Sequence, residues 1–178
     1  MNLISLFPVA MMIALSVICT RALKISGERA FSSLMAGSFF GIFSWFFSAY
    51  FLSGFLFLLG GALLDSLIKA AGVNLRKDKR YSLFFGFGFG FAISFLSLFY
   101  SSTAWPYSIL FATSAMLFHA ATSILAFSSE TLKPVPRLFF FSFLYNVMLL
   151  LNSWISISIA LIFGGILFRH YYDSLSEV

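Results

Sequence analysis

The stretch that decides the fold is residues 51–72, FLSGFLFLLGGALLDSLIKAAG. It is long enough to cross a bilayer, which takes about 20 apolar residues in a helix. It carries one acid, Asp65, and a carboxylate on a membrane-spanning helix costs at least about 2.5 kcal/mol, so it requires a partner or a function. Gly54, Gly60 and Gly61 precede it and would allow another helix to approach closely. The stretch therefore predicts a transmembrane helix that is both a packing centre and the best functional candidate.

The composition of the whole chain indicates the same class of protein. Its 178 residues are 61% hydrophobic and 10% charged, whereas an ordinary globular chain is about 45–50% apolar. The predicted fold class is all-α, a polytopic helical membrane protein that forms one transmembrane domain over residues 1–178 with short loops. A β-barrel is excluded because its strands would be segments of about ten residues in which apolar and polar residues alternate. The apolar runs in this chain are longer than that and apolar on every face.

Charges and turn signals divide the chain into six predicted transmembrane helices. They cover, in order, about residues 3–23, 30–49, 51–72, 83–100, 108–127 and 138–168. The last run is long enough to form either one tilted helix or two short helices hinged near residues 152–158. The second alternative would give seven elements.

The net charge of +5 is carried mostly by the short segments between the apolar runs. By the positive-inside rule, segments 21–29, 76–80 and 133–137 face the cytoplasm. The N-terminus is then outside, and the C-terminal tail is outside or inside according to whether the last run crosses once or twice. The residues expected to contact lipid headgroups and set the orientation are Arg76, Lys77, Lys79, Arg80 and Arg137. The pattern predicts a multi-pass protein of the inner, cytoplasmic membrane and gives no sign of nucleic-acid binding.

Asp65 has two interpretations. In the functional one, its buried carboxylate binds a partner helix, a cation or a polar group of a ligand. In the structural one, Lys69 lies four residues on along the same helix face, and the two side chains pair near the cytoplasmic end of the helix. The structural interpretation is favoured because the helix is expected to end shortly after Lys69.

Small residues four apart recur in three of the predicted helices and flatten one face of each, so that backbones can approach closely. The pairs are Gly37 with Gly41, Ala62 with Ser66, and Gly86 with Gly90. An internal partner is favoured over another protein subunit. Residues 86–90 are not a phosphate-binding loop, since the final glycine of that fingerprint is missing.

Few other side chains indicate chemistry. His119 is expected to be a neutral histidine bonded to a neighbouring helix, and Asn146 an interhelical hydrogen-bond donor. A ligand cavity, if the protein binds a small molecule, is expected near one membrane face, lined by Trp45, Tyr50, Trp105, His119 or Trp154. No catalytic motif, metal-ligand cluster or cofactor motif is apparent, so catalysis ranks below binding, transport and scaffolding.

Segment 53–67, SGFLFLLGGALLDSL, resembles the glycine-rich, aspartate-ended helix of the MreD family, and segment 137–146, RLFFFSFLYN, is similar to the start of that family's last helix. These proteins are small membrane subunits of the bacterial cell-elongation machinery that sit with MreC. The resemblance implies a non-catalytic scaffold of the cell-shape machinery with other membrane subunits as partners. The matching positions are Gly54, Gly61, Asp65, Arg137 and Asn146.

A second resemblance is to the substrate-binding S-components of energy-coupling-factor vitamin transporters. Segment 10–25, AMMIALSVICTRALKI, looks like their first helix, and segment 60–67, GGALLDSL, looks like the glycine–aspartate helix end that follows. This alternative implies a subunit that binds a vitamin or another small molecule for transport. Both resemblances use the Asp65 helix, so that helix alone does not separate them.

Overall fold

The computed structural model describes residues 6–52, 54–73, 78–99, 105–128, 132–151 and 153–175. Over these residues the chain forms seven α-helices and no strand, which confirms the predicted all-α class. The helices are α1 (Phe7–Ala22), α2 (Gly27–Phe51), α3 (Gly54–Val73), α4 (Arg80–Phe99), α5 (Trp105–Ala126), α6 (Val135–Leu150) and α7 (Trp154–Asp173).

The last apolar run is divided into α6 and α7, as in the second of the two predicted alternatives. Ser153 is the N-cap of α7: its side chain accepts a hydrogen bond from the backbone N–H of Ser156, 3.1 Å away. The Ser156 hydroxyl accepts in return from the backbone N–H of Ser153 at 3.0 Å. This capping box satisfies donors at the start of a helix, so a new helix begins within an otherwise apolar run.

Four of the helices, judged on the described residues by length and composition, are long and apolar enough to cross a membrane. These segments are Gly27–Tyr50, Arg80–Phe99, Pro106–Ala126 and Trp154–Asp173. Helices α1 and α6 are also apolar, but each has 16 residues.

The predicted glycine pairs hold helices together inside the molecule. A Cβ on Gly37 of α2 would fall on the backbone carbonyl of Phe85 in α4, and one on Gly41 would lie 2.8 Å from the carbonyl oxygen of Phe89. Because both residue numbers rise together along this contact, α2 and α4 run in the same direction. Their backbones touch without side chains between them, which is the close approach that small residues permit.

Helices α4 and α5 pack equally closely but in opposite directions. Gly86 lies against the backbone of Ala120, whereas Gly90 lies against Ala115, whose carbonyl oxygen is 2.7 Å from a Cβ built on the glycine. The glycines at 86 and 90 thus face α5. Helix α4 is consequently the centre of the bundle: eleven of its first thirteen residues are buried, together with Ser94 and Leu98, and α1, α2 and α5 pack around it.

Charged side chains gather at one end of the bundle, which we call the charged end. The Lys79 Nζ, before α4, donates a hydrogen bond to the Ser174 Oγ after α7 at 2.9 Å, so these segments meet. The opposite end, where α2 joins α3 and α6 joins α7, is called the charge-free end. Apart from Asp65 and Lys69, every charged residue that the structure describes belongs to the charged end: Arg21, Lys24, Glu28, Arg29, Asp78, Lys79, Arg80, Lys133, Arg137, Arg169 and Asp173.

Candidate functional site

A cavity of about 270 Å³ lies among α2, α3, α4, α5 and α6, in the half of the bundle nearer the charge-free end. Its polar lining comes from three helices besides α3, and the remaining walls are apolar. The polar lining residues are Ser44, Trp45, Ser48, Asp65, Ser97 and Asn146, and the apolar ones include Leu58, Ile93, Phe111, Leu149 and Leu150. We call this space the Asp65 cavity.

Asp65 is the one ionisable residue in that lining. It lies near the middle of α3, about 16 Å along the helix axis from Gly54 at about 1.5 Å per residue, and its side chain is buried. Its Oδ1 accepts a hydrogen bond from the Ser44 hydroxyl of α2. Its Oδ2 accepts none from the part of the chain that the structure describes. An ionised carboxylate accepts only, so this free acceptor favours a ligand that donates hydrogen bonds.

Gly61 makes room for the cavity one turn before Asp65. A Cβ on Gly61 would lie 3.5 Å from the Ser48 Oγ and 3.9 Å from the Asn146 Nδ2, in ordinary contact with both. The missing side chain therefore leaves space between α3 and its neighbours α2 and α6. Gly60 has a different role, because a Cβ there would meet the side chain of Leu52.

The expected pairing of Lys69 with Asp65 at the helix end is wrong. Lys69 is 0% exposed, and the two charged groups do not come within the 4.0 Å of an ion pair. The Lys69 Nζ instead donates to the Thr122 Oγ1 of α5 at 2.9 Å. It also lies 5.1 Å from the ring centre of Phe89 and 5.3 Å from that of Phe118. The helix ends at Val73, one turn after Lys69, as expected. Lys69 nevertheless points into the bundle and does not extend to its surface.

His119 lies beside Lys69 and does not line the cavity. The ring is buried, with its centre 5.0 Å from that of Phe89 and 5.3 Å from that of Phe118. Its Nδ1 has no hydrogen-bond partner among the described residues, so the expected bond to a neighbouring helix is not made at this atom. The histidine and the lysine thus share the same pair of phenylalanine rings.

Asn146 and Trp45 line the cavity from α6 and α2. The Trp45 Nε1 donates to the Ser97 Oγ of α4 at 3.1 Å, which ties two walls together. The Asn146 amide, expected to bond another helix, makes no hydrogen bond to any described residue. It is half-buried and lines the same space as Asp65.

The other residues proposed for a cavity lie elsewhere. Tyr50 is 72% exposed and Trp154 is 51% exposed. Trp154 packs edge-on against Tyr107, with ring centres 5.7 Å apart. The side chain of Trp105 is outside the described part of the structure, as are Arg76 and Lys77. Gly54 is the first residue of α3.

The predicted headgroup residues that the structure describes all lie at the charged end. Arg80 forms an ion pair with Asp78 at 2.8 Å, and hydrogen bonding from Arg80 holds the pKa of Asp78 below its ordinary value. Lys79 is bonded to Ser174, and Arg137 is exposed at the start of α6. None of these residues lines the Asp65 cavity.

Sequence reasoning missed the hydroxyl groups of this region. Ser44 and Ser48 are four apart on α2, and Thr122 is buried on α5. The spacing of the two serines was the available signal, because residues four apart lie on the same face of a helix. Serine and threonine are common in apolar helices, however, and nothing in the sequence indicates which of them face Asp65 or Lys69.

Metal binding has no support in the described residues, where no three His, Cys, Asp or Glu side chains come together. Comparison of the chain with protein-family models, with curated proteins and with solved structures finds no match. The chemistry of the site therefore rests on its own geometry. That geometry is a buried carboxylate with one free oxygen, hydroxyl and amide groups around it, and apolar walls.

Proposed function

We propose that the chain is a multi-pass protein of the cytoplasmic membrane that binds a small amphipathic cation in the Asp65 cavity. The membrane part of the proposal is supported by the four long apolar helices and by the grouping of charges at one end. With the positive-inside rule, the charged end faces the cytoplasm and the cavity is nearer the outer side. Alternating helix directions support seven crossings, one more than the six expected.

The observation that carries the ligand-binding proposal is the position of Asp65 in the cavity lining. A carboxylate in an apolar interior is costly unless it is paired and hydrogen-bonded. Here one of its oxygens is satisfied by Ser44 and the other is free among the described residues. A ligand with an ammonium group supplies both the missing donor and the opposite charge, which together make the strongest kind of hydrogen bond.

The rest of the lining limits the size and shape of this ligand. A space of about 270 Å³ is just below the roughly 300–1,000 Å³ of ordinary ligand sites, so the ligand is small. Phe111, Ile93 and Leu149 provide walls for an apolar body. Asn146 and Ser97 provide a second polar contact. A short alkylamine has the required combination of features.

Binding of n-butylammonium to the purified protein in lipid nanodiscs tests the proposal. We expect saturable binding to the unchanged protein and a loss of at least about tenfold in Asp65→Asn, because the charge-assisted hydrogen bond is worth about 1.5–3 kcal/mol. Asp78→Asn is the matched control, since it removes a carboxylate at the charged end and leaves the cavity intact. Equal affinity of Asp65→Asn and the unchanged protein would refute the proposal.

The scaffold interpretation that follows from the MreD resemblance remains a prediction. The small-residue faces offered for partner subunits are occupied from within: Gly37 and Gly41 by α4, and Gly86 and Gly90 by α5. A transporter subunit, the second resemblance, agrees better with a ligand cavity. Identification of the proteins that copurify after mild detergent extraction distinguishes the two, because an elongation scaffold would bring wall-synthesis proteins and a transporter subunit would bring an ATPase module.

A further inference from the structure

Asp65 and Lys69 form an unusual arrangement of two opposite charges. They lie one turn apart on α3, yet each is held by a different helix: Asp65 by Ser44 of α2 and Lys69 by Thr122 of α5. Asp65 faces the cavity, whereas Lys69 is absent from the cavity lining and contacts the rings of Phe89 and Phe118. The interior is thus close to neutral overall, with its negative group open to a ligand and its positive group closed off.

This balance changes when a cation enters the cavity. With Asp65 ionised and Lys69 protonated, the bound ligand would leave one uncompensated positive charge inside the bundle. Such a charge is costly in an apolar interior, and a buried lysine relieves the cost by giving up its proton. A buried lysine changes its protonation state readily, because burial costs the neutral amine much less desolvation free energy than the charged ammonium.

We propose that a cation bound at Asp65 expels one proton from Lys69, so that the protein exchanges a proton for its ligand. This inference rests on the proposed function, since it takes the Asp65 cavity as a cation site. The charges balance: a ligand cation in water and a protonated Lys69 become a bound cation, a neutral Lys69 amine and one proton in water. The Lys69 nitrogen keeps Thr122 as its hydrogen-bond partner in both forms, because a hydroxyl both donates and accepts.

Few other groups in the described structure compete for this role. From α5, His119 faces Lys69 across the shared rings of Phe89 and Phe118. From α6, Tyr145 stacks on Phe118 at 4.0 Å between ring centres and bonds to Ser114. Helices α2 and α4 place no described ionisable side chain beside Asp65 or Lys69. Their contacts are Ser44 of α2 with Asp65 and Phe89 of α4 with Lys69. His119, and Asp65 itself if its carboxyl is protonated in the empty protein, are therefore the alternative proton sources that an experiment has to exclude.

Calorimetry in two buffers of different ionisation enthalpy counts the protons released when n-butylammonium binds to the protein in nanodiscs. We expect about one proton per ligand, and an affinity that rises about tenfold per pH unit while Lys69 is protonated in the empty protein. Lys69→Gln should bind without proton release and without this pH dependence. Lys24→Gln is the matched control, because Lys24 is an exposed lysine at the charged end, and it should release a proton like the unchanged protein.

The outcomes separate this inference from the proposed function. Binding to the unchanged protein without proton release overturns the exchange and leaves the cation site standing. Release that persists in Lys69→Gln overturns the assignment to Lys69, and its disappearance in His119→Asn would assign the proton to His119 and not to Asp65. Absence of any n-butylammonium binding overturns both proposals. If Lys69→Gln does not fold, the proton count of the unchanged protein still decides, because a count near zero contradicts the exchange.

Discussion

Thr122 is the residue on which the buried ammonium of Lys69 depends. Its hydroxyl accepts from the Lys69 Nζ at 2.9 Å and donates to the carbonyl oxygen of Phe118 at 2.9 Å. Thr122→Val keeps the shape and removes both bonds, so we expect a loss of about 1–3 kcal/mol in the free energy of unfolding. Thermal unfolding in detergent measures it. Thr122→Ser is the control and should lose less, because the hydroxyl remains; a loss in Thr122→Ser as large as that in Thr122→Val would contradict this role of the hydroxyl.

Asp78 gives a pH-dependent contribution at the charged end. Hydrogen bonding from Arg80 lowers the pKa of this carboxyl in the folded protein relative to the unfolded chain. Its stabilisation is therefore complete above the unfolded pKa and is lost as the pH falls through the folded pKa. At neutral pH, Asp78→Asn should cost about 0.2–1 kcal/mol, as is usual for a half-exposed ion pair.

The measurement is the difference in thermal stability between Asp78→Asn and the unchanged protein as the pH is lowered. The difference should shrink towards zero in acid, where both proteins carry a neutral side chain at position 78. A difference that stays constant with pH would mean that the charge of the Asp78 carboxylate is not what stabilises the folded protein.

Asp65 could be singled out from the sequence, whereas the environment of Lys69 could not. A single acid within a long apolar run is informative by itself, because its burial is costly wherever the helix lies. The spacing of Lys69 indicates the shared helix face correctly. Which helix meets that face is decided by Thr122, which is 53 positions further along the chain. No local pattern contains that information, so the expected pair with Asp65 was replaced by a contact with α5.

At the scale of helices, glycine determines which elements touch. The pairs at Gly37 and Gly41 and at Gly86 and Gly90 indicate from the sequence alone that α2 and α4 are close-packing helices. Helix α2 packs far more extensively against α4 than against α3, its neighbour along the chain. Small residues predict a flat helix face but do not predict which helix packs against it, since any backbone can approach such a face.

Gly88 tests how strongly this packing depends on the absence of a side chain. A Cβ there would fall on the carbonyl oxygen of Leu34, so Gly88→Ala has to push α2 away from α4. We expect a loss of about 1–3 kcal/mol or more in stability, as for other overpacked interiors. Gly165→Ala is the matched control: nothing lies within 4 Å of a Cβ at that position. Alanine should be neutral there or stabilise the helix by up to about 1 kcal/mol.

Thermal unfolding of the two alanine variants under the same conditions gives the comparison. Equal stability of Gly88→Ala and Gly165→Ala would contradict direct backbone contact between α2 and α4. A selective loss in Gly88→Ala would agree with it. Gly165→Ala should also retain n-butylammonium binding, since no residue of α7 is among the lining residues of the Asp65 cavity.

For the whole molecule, the separation of charges between its two ends is the main organising feature. The sequence indicates it through the basic segments that recur after every second apolar run. Whether the last run crosses once or twice was not settled by composition, because residues 138–168 are apolar throughout. The capping box of Ser153 and Ser156 ends this ambiguity at the level of helices. Helix α1 begins at the charge-free end, and helix α7 ends at the charged end.

Cysteine labelling in intact cells tests the proposed orientation of the whole molecule. The single cysteine, Cys19, is buried, and Cys19→Ala provides a background without thiols. On that background, Tyr50→Cys and Leu151→Cys place exposed thiols at the charge-free end, whereas Lys24→Cys and Asp173→Cys place them at the charged end. A membrane-impermeant maleimide should label the first two in intact cells and the last two only after permeabilisation, because positively charged loops stay in the cytoplasm.

Labelling of Asp173→Cys from outside, with Lys24→Cys still protected, would mean an even number of crossings and would remove α6 or α7 from the membrane-spanning set. Labelling of Lys24→Cys and Asp173→Cys alone would reverse the molecule, and the Asp65 cavity would then be nearer the cytoplasm.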